Sequence, residues 1–342
     1  MNRTLWDLLR EIDRLHGRLD ALGLPEAWVE MARARALVEE AFHTTRIEGS
    51  EITREEAEAA FAGENVPSAR ADDLRELLNF RAAHRLAGDY AESGRPFTQA
   101  FLREIHRELV RGVRGGAAAP GEYRKVQNYV VNQTTGETIY TPPPANEVPE
   151  RMAALVDQMA TGGEHPIIVS GVAHLDLVDI HPFLDGNGRT GRLLAVASLT
   201  RDNYAVGVLG ALSAYYDADR ASYYDAIQST RTADGDATRW LEYFARGIHA
   251  ELGQLLERTE RAWESAAKVD RRLSDHEQRA LALAASGGGV TIRQLEQAVP
   301  GVPRRTLQYA VRRLVDAGLL LPQGETNSRR YVVATPTDKA GA

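Results

Sequence analysis

The sequence contains no cysteine among its 342 residues. This absence excludes a disulfide framework and a thiol nucleophile, and it leaves any bound metal to oxygen and imidazole ligands. Long apolar runs are also absent, because the first residues mix charged and apolar side chains at helical spacing and no later stretch approaches a membrane span. We therefore expect a cytoplasmic protein that makes no membrane contact.

The formal net charge of -7 is unevenly distributed along the chain. From Arg271 to the last residue, 11 Lys and Arg residues stand against 6 Asp and Glu residues, a net charge of +5. The remaining 30 basic and 42 acidic residues give -12. This asymmetry predicts a basic module attached to an acidic globular body.

Helix-forming residues dominate residues 1–95, which we predict to be a helical N-terminal region. One helix is expected over about 28–48, and Gly49 after it is suited to a helix C-cap. Thr53 and Glu56 then match a capping box that opens a further short helix. More helices are predicted throughout residues 96–250, around one exception.

The exception is a pair of short β-prone runs at Tyr129–Val131 and Thr138–Tyr140, with a Gly-containing turn between them. This pattern predicts a hairpin, and the prolines of 142–144 end it because proline cannot continue a ladder. An ordinary surface hairpin is the simplest interpretation of these residues on their own.

The end of the chain has a third pattern. We predict a connecting helix over 251–270 and then, in 271–342, three short helices followed by strand, polar loop and strand. That order of elements is the layout of a winged helix domain. The whole chain is thus predicted to be mainly α, with a helical core, one small hairpin and a C-terminal winged helix domain.

The twelve residues from His181 to Arg192, HPFLDGNGRTGR, lie between two predicted helices. A helix N-terminus exposes unpaired N–H groups and carries partial positive charge, so it attracts anions. Gly186 and Gly188 would let the backbone approach a phosphate closely. Three further side chains could donate to phosphate oxygens: Asn187, Arg189 and Arg192.

Two other residues of this stretch suggest reactivity. Asp185 is a hard carboxylate beside a predicted phosphate site and could bind Mg²⁺, and His181 could act as a general base near neutral pH. Taken singly, a Gly-Asn-Gly turn, a histidine at a helix end or a capping aspartate has a structural explanation. Together they favour transfer of a phosphate-linked group to a hydroxyl.

The stretch His181–Arg192 matches the HPFx[D/E]GNGRxxR motif and resembles the Fic family at every defined position. The resemblance implies a helical Fic fold and transfer of AMP from ATP to a protein hydroxyl, the chain itself included. It implies that His181 is the base and Asp185 the Mg²⁺ ligand. The phosphates would be held by Gly186, Asn187, Gly188, Arg189 and Arg192, the last of these at the γ-phosphate.

The resemblance also gives meaning to Thr44–Gly49, which is similar to the family's inhibitory motif [S/T]xxxE[G/N]. Glu48 is expected in the last turn of its helix, where the helix dipole disfavours an anion unless a cation compensates. The resemblance implies that Arg192 is this cation and that the pair blocks productive binding of ATP. Thr44, one turn earlier, lies on the same face and could contact the motif loop.

By the same resemblance the hairpin would be a flap that docks an extended segment of the target by strand addition. Tyr223 and Tyr224 are either part of the adenine pocket or core aromatics, and the sequence leaves both interpretations open. The residues expected to dock the target are Tyr129, Val130, Val131, Thr138, Ile139 and Tyr140.

Several alternatives remain open at this level. The same site could remove AMP or transfer another phosphate-linked group, or the chain could be a DNA-binding regulator that uses its Fic domain as a nucleotide sensor. The arginines of the basic module could contact DNA phosphates, or the predicted winged helix could serve protein contacts or dimerisation with its arginines solvated. A homodimer is equally compatible with the sequence.

Overall fold

The computed structural model describes residues 2–67, 69–113, 119–131, 135–161, 163–233, 235–267, 272–286, 289–324 and 329–334. Parts of three predicted segments lie outside these ranges: the hairpin turn, the end of the connecting helix, and the wing loop with the last residues of the chain. In the part that is described, no helix combines the length and apolarity that crossing a bilayer requires.

The described residues are mainly helical, as the sequence predicts. Two antiparallel pairs of strands are also present, and a short 3-10 turn at Ala145–Glu147 precedes the sixth helix. The helices are α1 (Arg3–Ala21), α2 (Glu26–Ile47), α3 (Arg54–Phe61), α4 (Ala71–Glu92), α5 (Gln99–Leu109), α6 (Val148–Ala160), α7 (Pro166–Ile180), α8 (Asn187–Arg201), α9 (Ala205–Leu209), α10 (Leu212–Ala218), α11 (Arg220–Thr232), α12 (Thr238–Ala267), α13 (Asp275–Ser286), α14 (Ile292–Ala298) and α15 (Arg304–Asp316). The strands are β1 (Val130–Val131), β2 (Thr138–Tyr140), β3 (Leu320–Gln323) and β4 (Arg330–Val333).

The helical hairpin of α7 and α8 forms the centre of the fold. Nearly every residue of α8 is buried, which a helix can tolerate only when other helices surround it. Helices α2, α4, α5 and α9 pack around it, and α7 packs along its length. The loop between α7 and α8 is consequently held inside a rigid frame.

Helix α2 carries the predicted inhibitory motif and is held from two sides. Its C-terminal half packs against the core beside α8 and α10, while its N-terminal residues Trp28 and Met31 belong to the apolar core of the C-terminal module. The capping box at Thr53 forms as predicted. The Thr53 hydroxyl accepts from the Glu56 N–H, and the Glu56 carboxylate accepts from the Thr53 N–H. The C-terminal module and α2 therefore share one hydrophobic core.

The C-terminal module contains α13, α14, α15 and the antiparallel pair β3–β4, in the order that the sequence predicts. Its assignment as a winged helix domain stays a prediction. One predicted boundary differs from the structure: the connecting helix expected over 251–270 is the second half of α12. No proline separates the two halves, and packing on α1 and α11 outweighs the weak helix propensity of Gly247 and Gly253, so one helix spans both.

Candidate active site

The N-terminus of α8 forms an anion nest, which we define as the backbone of residues 186–189. Gly186 precedes the helix with φ +78°, a conformation that favours glycine, and a Cβ there would lie 2.9 Å from Val110. The Thr190 hydroxyl donates to the Gly186 carbonyl at 2.7 Å and fixes the turn. The N–H groups of the first turn of a helix have no acceptor within the helix, so those of this turn are available to an anion.

His181 ends α7 in a left-handed conformation, with φ +51°. Its Nδ1 lies 3.0 Å from the Val178 carbonyl oxygen, which can only accept, so Nδ1 carries the proton and Nε2 presents a lone pair. Burial lowers the pKa of His181, and nearby Arg231 and Arg124 act in the same direction. The imidazole is therefore neutral at pH 7, the state that a general base requires.

The side chain of Asn187 braces the loop from within. Its Oδ1 accepts from the Phe183 N–H and its Nδ2 donates to the Phe183 carbonyl, both at 2.9 Å. The side chain is buried, so in this structure it shapes the loop rather than adding a donor to the anion nest. The phosphate contact expected of Asn187 stays a prediction.

His106 on α5 supports the loop, a role that sequence reasoning missed. Its ring stacks on Phe183 with centroids 3.6 Å apart, and its Nδ1 accepts from the Gly121 N–H. Nε2 must then carry the proton and donate to the Asp185 carbonyl at 3.0 Å. Burial lowers the pKa of His106 to about 4, so the ring is neutral at physiological pH.

Arg124 gives the second support that the sequence did not reveal. Its buried guanidinium donates to the carbonyls of Ile180, His181 and Pro143, so it caps the C-terminus of α7 and ties it to the end of the hairpin. A cation at this position also complements the helix dipole. Arg124 consequently sets the backbone position of the candidate base.

Arg192 is buried, and its guanidinium donates hydrogen bonds to two residues at the C-terminal end of α2. Its Nη2 donates to Glu48 Oε1 at 2.5 Å and its Nε donates to Thr44 Oγ1 at 2.7 Å. Burial opposes its charge, but Glu48 outweighs burial and raises the pKa of Arg192. Arg192 thus contacts both Glu48 and Thr44 in the structure, and the inhibitory role that the resemblance implies for Glu48 stays a prediction.

The Glu48 carboxylate also lies over the anion nest. A Cβ added to Gly188 would collide with Glu48 Oε1, so only glycine lets the carboxylate approach the first turn of α8. Burial raises the pKa of Glu48, but Arg192 and Arg189 outweigh it and hold the pKa below its usual range. The nest thus has an anion from its own chain.

Asp185 lies at the partly exposed edge of the loop, and Arg189 is buried beneath it. Asp185 Oδ1 accepts from the Gly186 N–H at 2.7 Å, and its side chain remains 31% exposed. Arg189 is only 1% exposed and pairs with Glu76 of α4 at 3.1 Å. Arg189 therefore supports the nest from below, and Glu76 is a further residue that the sequence did not point to.

The predicted hairpin forms between β1 and β2, with Val130 opposite Tyr140 and Val131 opposite Thr138. Tyr140 anchors it, because its hydroxyl donates to the Asp179 carbonyl and Arg231 covers its ring at 3.6 Å. Four other apolar side chains at or near the hairpin stay exposed: Val126, Tyr129, Val131 and Ile139. The hairpin is fixed at its base and presents an apolar edge.

The two tyrosines of α11 have different surroundings. Tyr223 is 1% exposed, and its hydroxyl lies 3.0 Å from His174 Nε2 within a cluster of aromatic rings. Tyr224 is 51% exposed, and it lies within electrostatic range of both Glu48 and Arg192. Of the two interpretations left open, Tyr223 fits a core aromatic, and Tyr224 remains a candidate for the adenine pocket.

These features define a helical protein with an anion site at the N-terminus of a buried helix and a neutral histidine beside it. A family model described as the Fic/DOC family matches residues 96–199. The chain thus contains a Fic/DOC family domain. The matched residues include α7, the motif loop and most of α8.

The individual relatives have low sequence identity to this chain. The chain is 28% identical to the protein adenylyltransferase Fic of Culex quinquefasciatus over 69% of its own length and 45% of that protein. It is 28% identical to the protein of the same name from Nematostella vectensis, over 70% of this chain and 53% of the relative. The chain therefore spans about half the length of these relatives.

A solved structure has the same fold over almost the whole chain. The crystal structure of a Fic family protein from Desulfovibrio desulfuricans superimposes with a TM-score of 0.67, covers 98% of this chain and 97% of its own, and is 22% identical in sequence. This likeness shows a shared fold that extends well beyond the matched domain, over 98% of the chain.

The neutral state of His106 predicts a pH dependence of stability. The unfolded chain binds a proton near pH 6.5 and the folded chain near pH 4, so stability is lost as pH falls through this window. Between pH 6.5 and 5 this residue alone should account for roughly 2 kcal/mol.

Chemical denaturation at both pH values tests this. The drop in unfolding free energy should be smaller in His106→Gln than in the parent protein. An equal drop in the two proteins would contradict the neutral, buried state of His106.

Proposed function

We propose that this protein is an adenylyltransferase that transfers AMP from ATP to a hydroxyl group of a protein, which includes its own chain. The observation that carries the proposal is the position of the Glu48 carboxylate, paired with Arg192 above Gly188. Because Arg192 and the N-terminus of α8 stabilise the negative charge of this carboxylate, they can also stabilise the negative charge of a bound ligand. The relatives are named protein adenylyltransferases, and this supports ATP as the nucleotide. The match covers about half of each relative's length.

The reaction needs a base, a phosphate site and a route for the leaving group. In the proposed mechanism Nε2 of His181 takes the proton of the target hydroxyl, whose oxygen forms a bond to the α-phosphorus of ATP. The bond from this phosphorus to the bridging oxygen breaks, and pyrophosphate leaves with the electron pair. The N–H groups of the anion nest stabilise the negative charge on the phosphates.

Mg²⁺ fits the partly exposed carboxylate of Asp185 at the edge of the anion nest. Within the described ranges, no group of three or more acidic or imidazole side chains forms a metal site. The ion would therefore be held by Asp185 together with the phosphates of the nucleotide. When bound, it would neutralise charge on the departing pyrophosphate.

Glu48 is proposed to inhibit this activity in the resting chain. Glu48 takes the side of the Arg192 guanidinium that faces Gly188, and its carboxylate occupies the space over Gly188 that phosphate oxygens would need. Thr44 strengthens the resting state because it accepts a second bond from the same guanidinium. Activation consequently requires Glu48 to leave the anion nest.

Replacing Glu48 by Gly should raise self-modification at least roughly tenfold, the equivalent of about 1.4 kcal/mol in barrier height. His181→Ala in the same background should lower it by about 10²- to 10⁴-fold, the usual contribution of a general base. Incorporation of label from α-phosphate-labelled ATP measures both effects.

Glu51→Gly is the matched control, since Glu51 is an exposed carboxylate three residues further along that pairs with Arg70. It should leave labelling unchanged. Equal labelling of the Glu48→Gly variant and the parent protein would refute the inhibition, and labelling that survives His181→Ala would refute the mechanism. Product analysis with AMP-modified protein tests removal of AMP by the same site.

A second candidate function rests on the exposed face of α15. Arg305 and Arg312 are exposed there without an ion pair among the described residues, and Tyr309 between them is 63% exposed. Two neighbouring arginines are engaged, Arg304 with Glu296 and Arg313 with Glu277. The free pair and the aromatic ring suit contact with the DNA backbone.

Arg305→Gln combined with Arg312→Gln should weaken binding to duplex DNA at least tenfold and reduce the salt slope by about 2. Mobility shifts at several salt concentrations measure this. The same change at Arg10 and Arg85, exposed arginines of α1 and α4, is the control and should have little effect. Absence of binding by the parent protein at low salt would exclude this candidate.

A further inference from the structure

A cavity of about 240 Å³ lies where α2, α10, α12 and the end of α13 meet. We call it the junction cavity. Spaces of about 10–15 Å³ already admit a water molecule, so this one has room for a small ligand with its hydration. Its walls come from the inhibitory helix, the core and the C-terminal module together.

Arg258 of α12 is a cation of this cavity whose electrostatic partner, Glu251, does not form an ion pair with it. No hydrogen bond or ion pair of Arg258 occurs among the described residues, and its Nε is buried. The other two arginines of the cavity have ion pairs: Arg35 with Glu39 and Glu58, although its Nε also has no acceptor, and Arg54 with Glu39. A buried guanidinium N–H without an acceptor is costly, and an oxyanion would satisfy it.

The other charged groups around the cavity do not exclude an anion at Arg258. Burial raises the pKa of Glu39, but His43 and the two arginines outweigh it and lower the value to about 2, so its charge is already neutralised. Burial raises the pKa of Glu251, against the weaker effect of Arg258, and Glu251 is the one acid of the described cavity lining that forms no ion pair with an arginine. His43 is engaged with Asp217 at 2.8 Å.

We propose that the junction cavity binds a small phosphate-bearing anion through Arg258. The guanidinium would donate two parallel bonds to it, with Arg54 at the more exposed side of the cavity. Because α2 forms one wall, such a ligand stabilises the arrangement in which Glu48 reaches Arg192. This regulatory consequence rests on the proposed function, whereas the binding itself does not.

Calorimetric titration of the full chain with inorganic phosphate, without ATP, tests the binding. The parent protein should bind saturably, and Arg258→Gln should bind at least tenfold more weakly. Arg261→Gln is the matched control on the same helix, where Arg261 is exposed and pairs with Glu257, and it should bind like the parent. Ala214→Met, which fills the cavity and keeps every charge, should also lose binding.

Hydrogen exchange of α2 gives a second measurement. Phosphate should slow exchange of the amides of 35–47 in the parent protein and leave them unchanged in Arg258→Gln. Equal affinity of Arg258→Gln and the parent, or no saturable binding by the parent, would overturn the proposal. If phosphate binds but no protein labelling is found with ATP, the proposed function alone fails.

Discussion

The ion pair between Glu48 and Arg192 is the interaction on which the resting structure depends. It joins the C-terminal end of α2 to the first turns of α8, and it compensates two charges that would each be unfavourable alone. Glu48 lies at the negative end of a helix dipole, and Arg192 is almost fully buried. Removing one partner leaves the other without compensation, so the pair is strongly held until an equivalent anion arrives.

Under the proposed function, the phosphates of a nucleotide are such an anion, and one small loop would serve both states. Glycine at 188 leaves room over the loop for the Glu48 carboxylate, and phosphate oxygens would take the same space. His106, Asn187 and Arg124 fix that loop from three directions. Preorganisation of this kind places the energetic difference between the two states in the position of α2 rather than in the loop.

Much of this arrangement could be predicted from the sequence, because local patterns determine it. Helix α2, the capping box at Thr53, the hairpin and the loop between α7 and α8 all follow from residues close together in the chain. His106 and Arg124 could not be found in this way, since they lie more than 50 residues before the loop they support. The different exposure of Tyr223 and Tyr224 depends on how α11 is rotated against its neighbours, which adjacent letters do not reveal.

The shared core of α2 and the C-terminal module suggests why the chain keeps both. Trp28 and Met31 are buried among residues of α13 and α15, and Arg279 pairs with Glu30 on the same helix. The C-terminal module contacts the N-terminal half of α2, while Glu48 lies at the opposite end of the same helix of 22 residues. Under the proposed inhibition, a ligand or partner that shifts this module would move α2 and with it the Glu48 carboxylate, because the backbone hydrogen bonds of a helix resist compression and bending. The proposed function thus has a physical route by which the C-terminal module would influence a site distant from it.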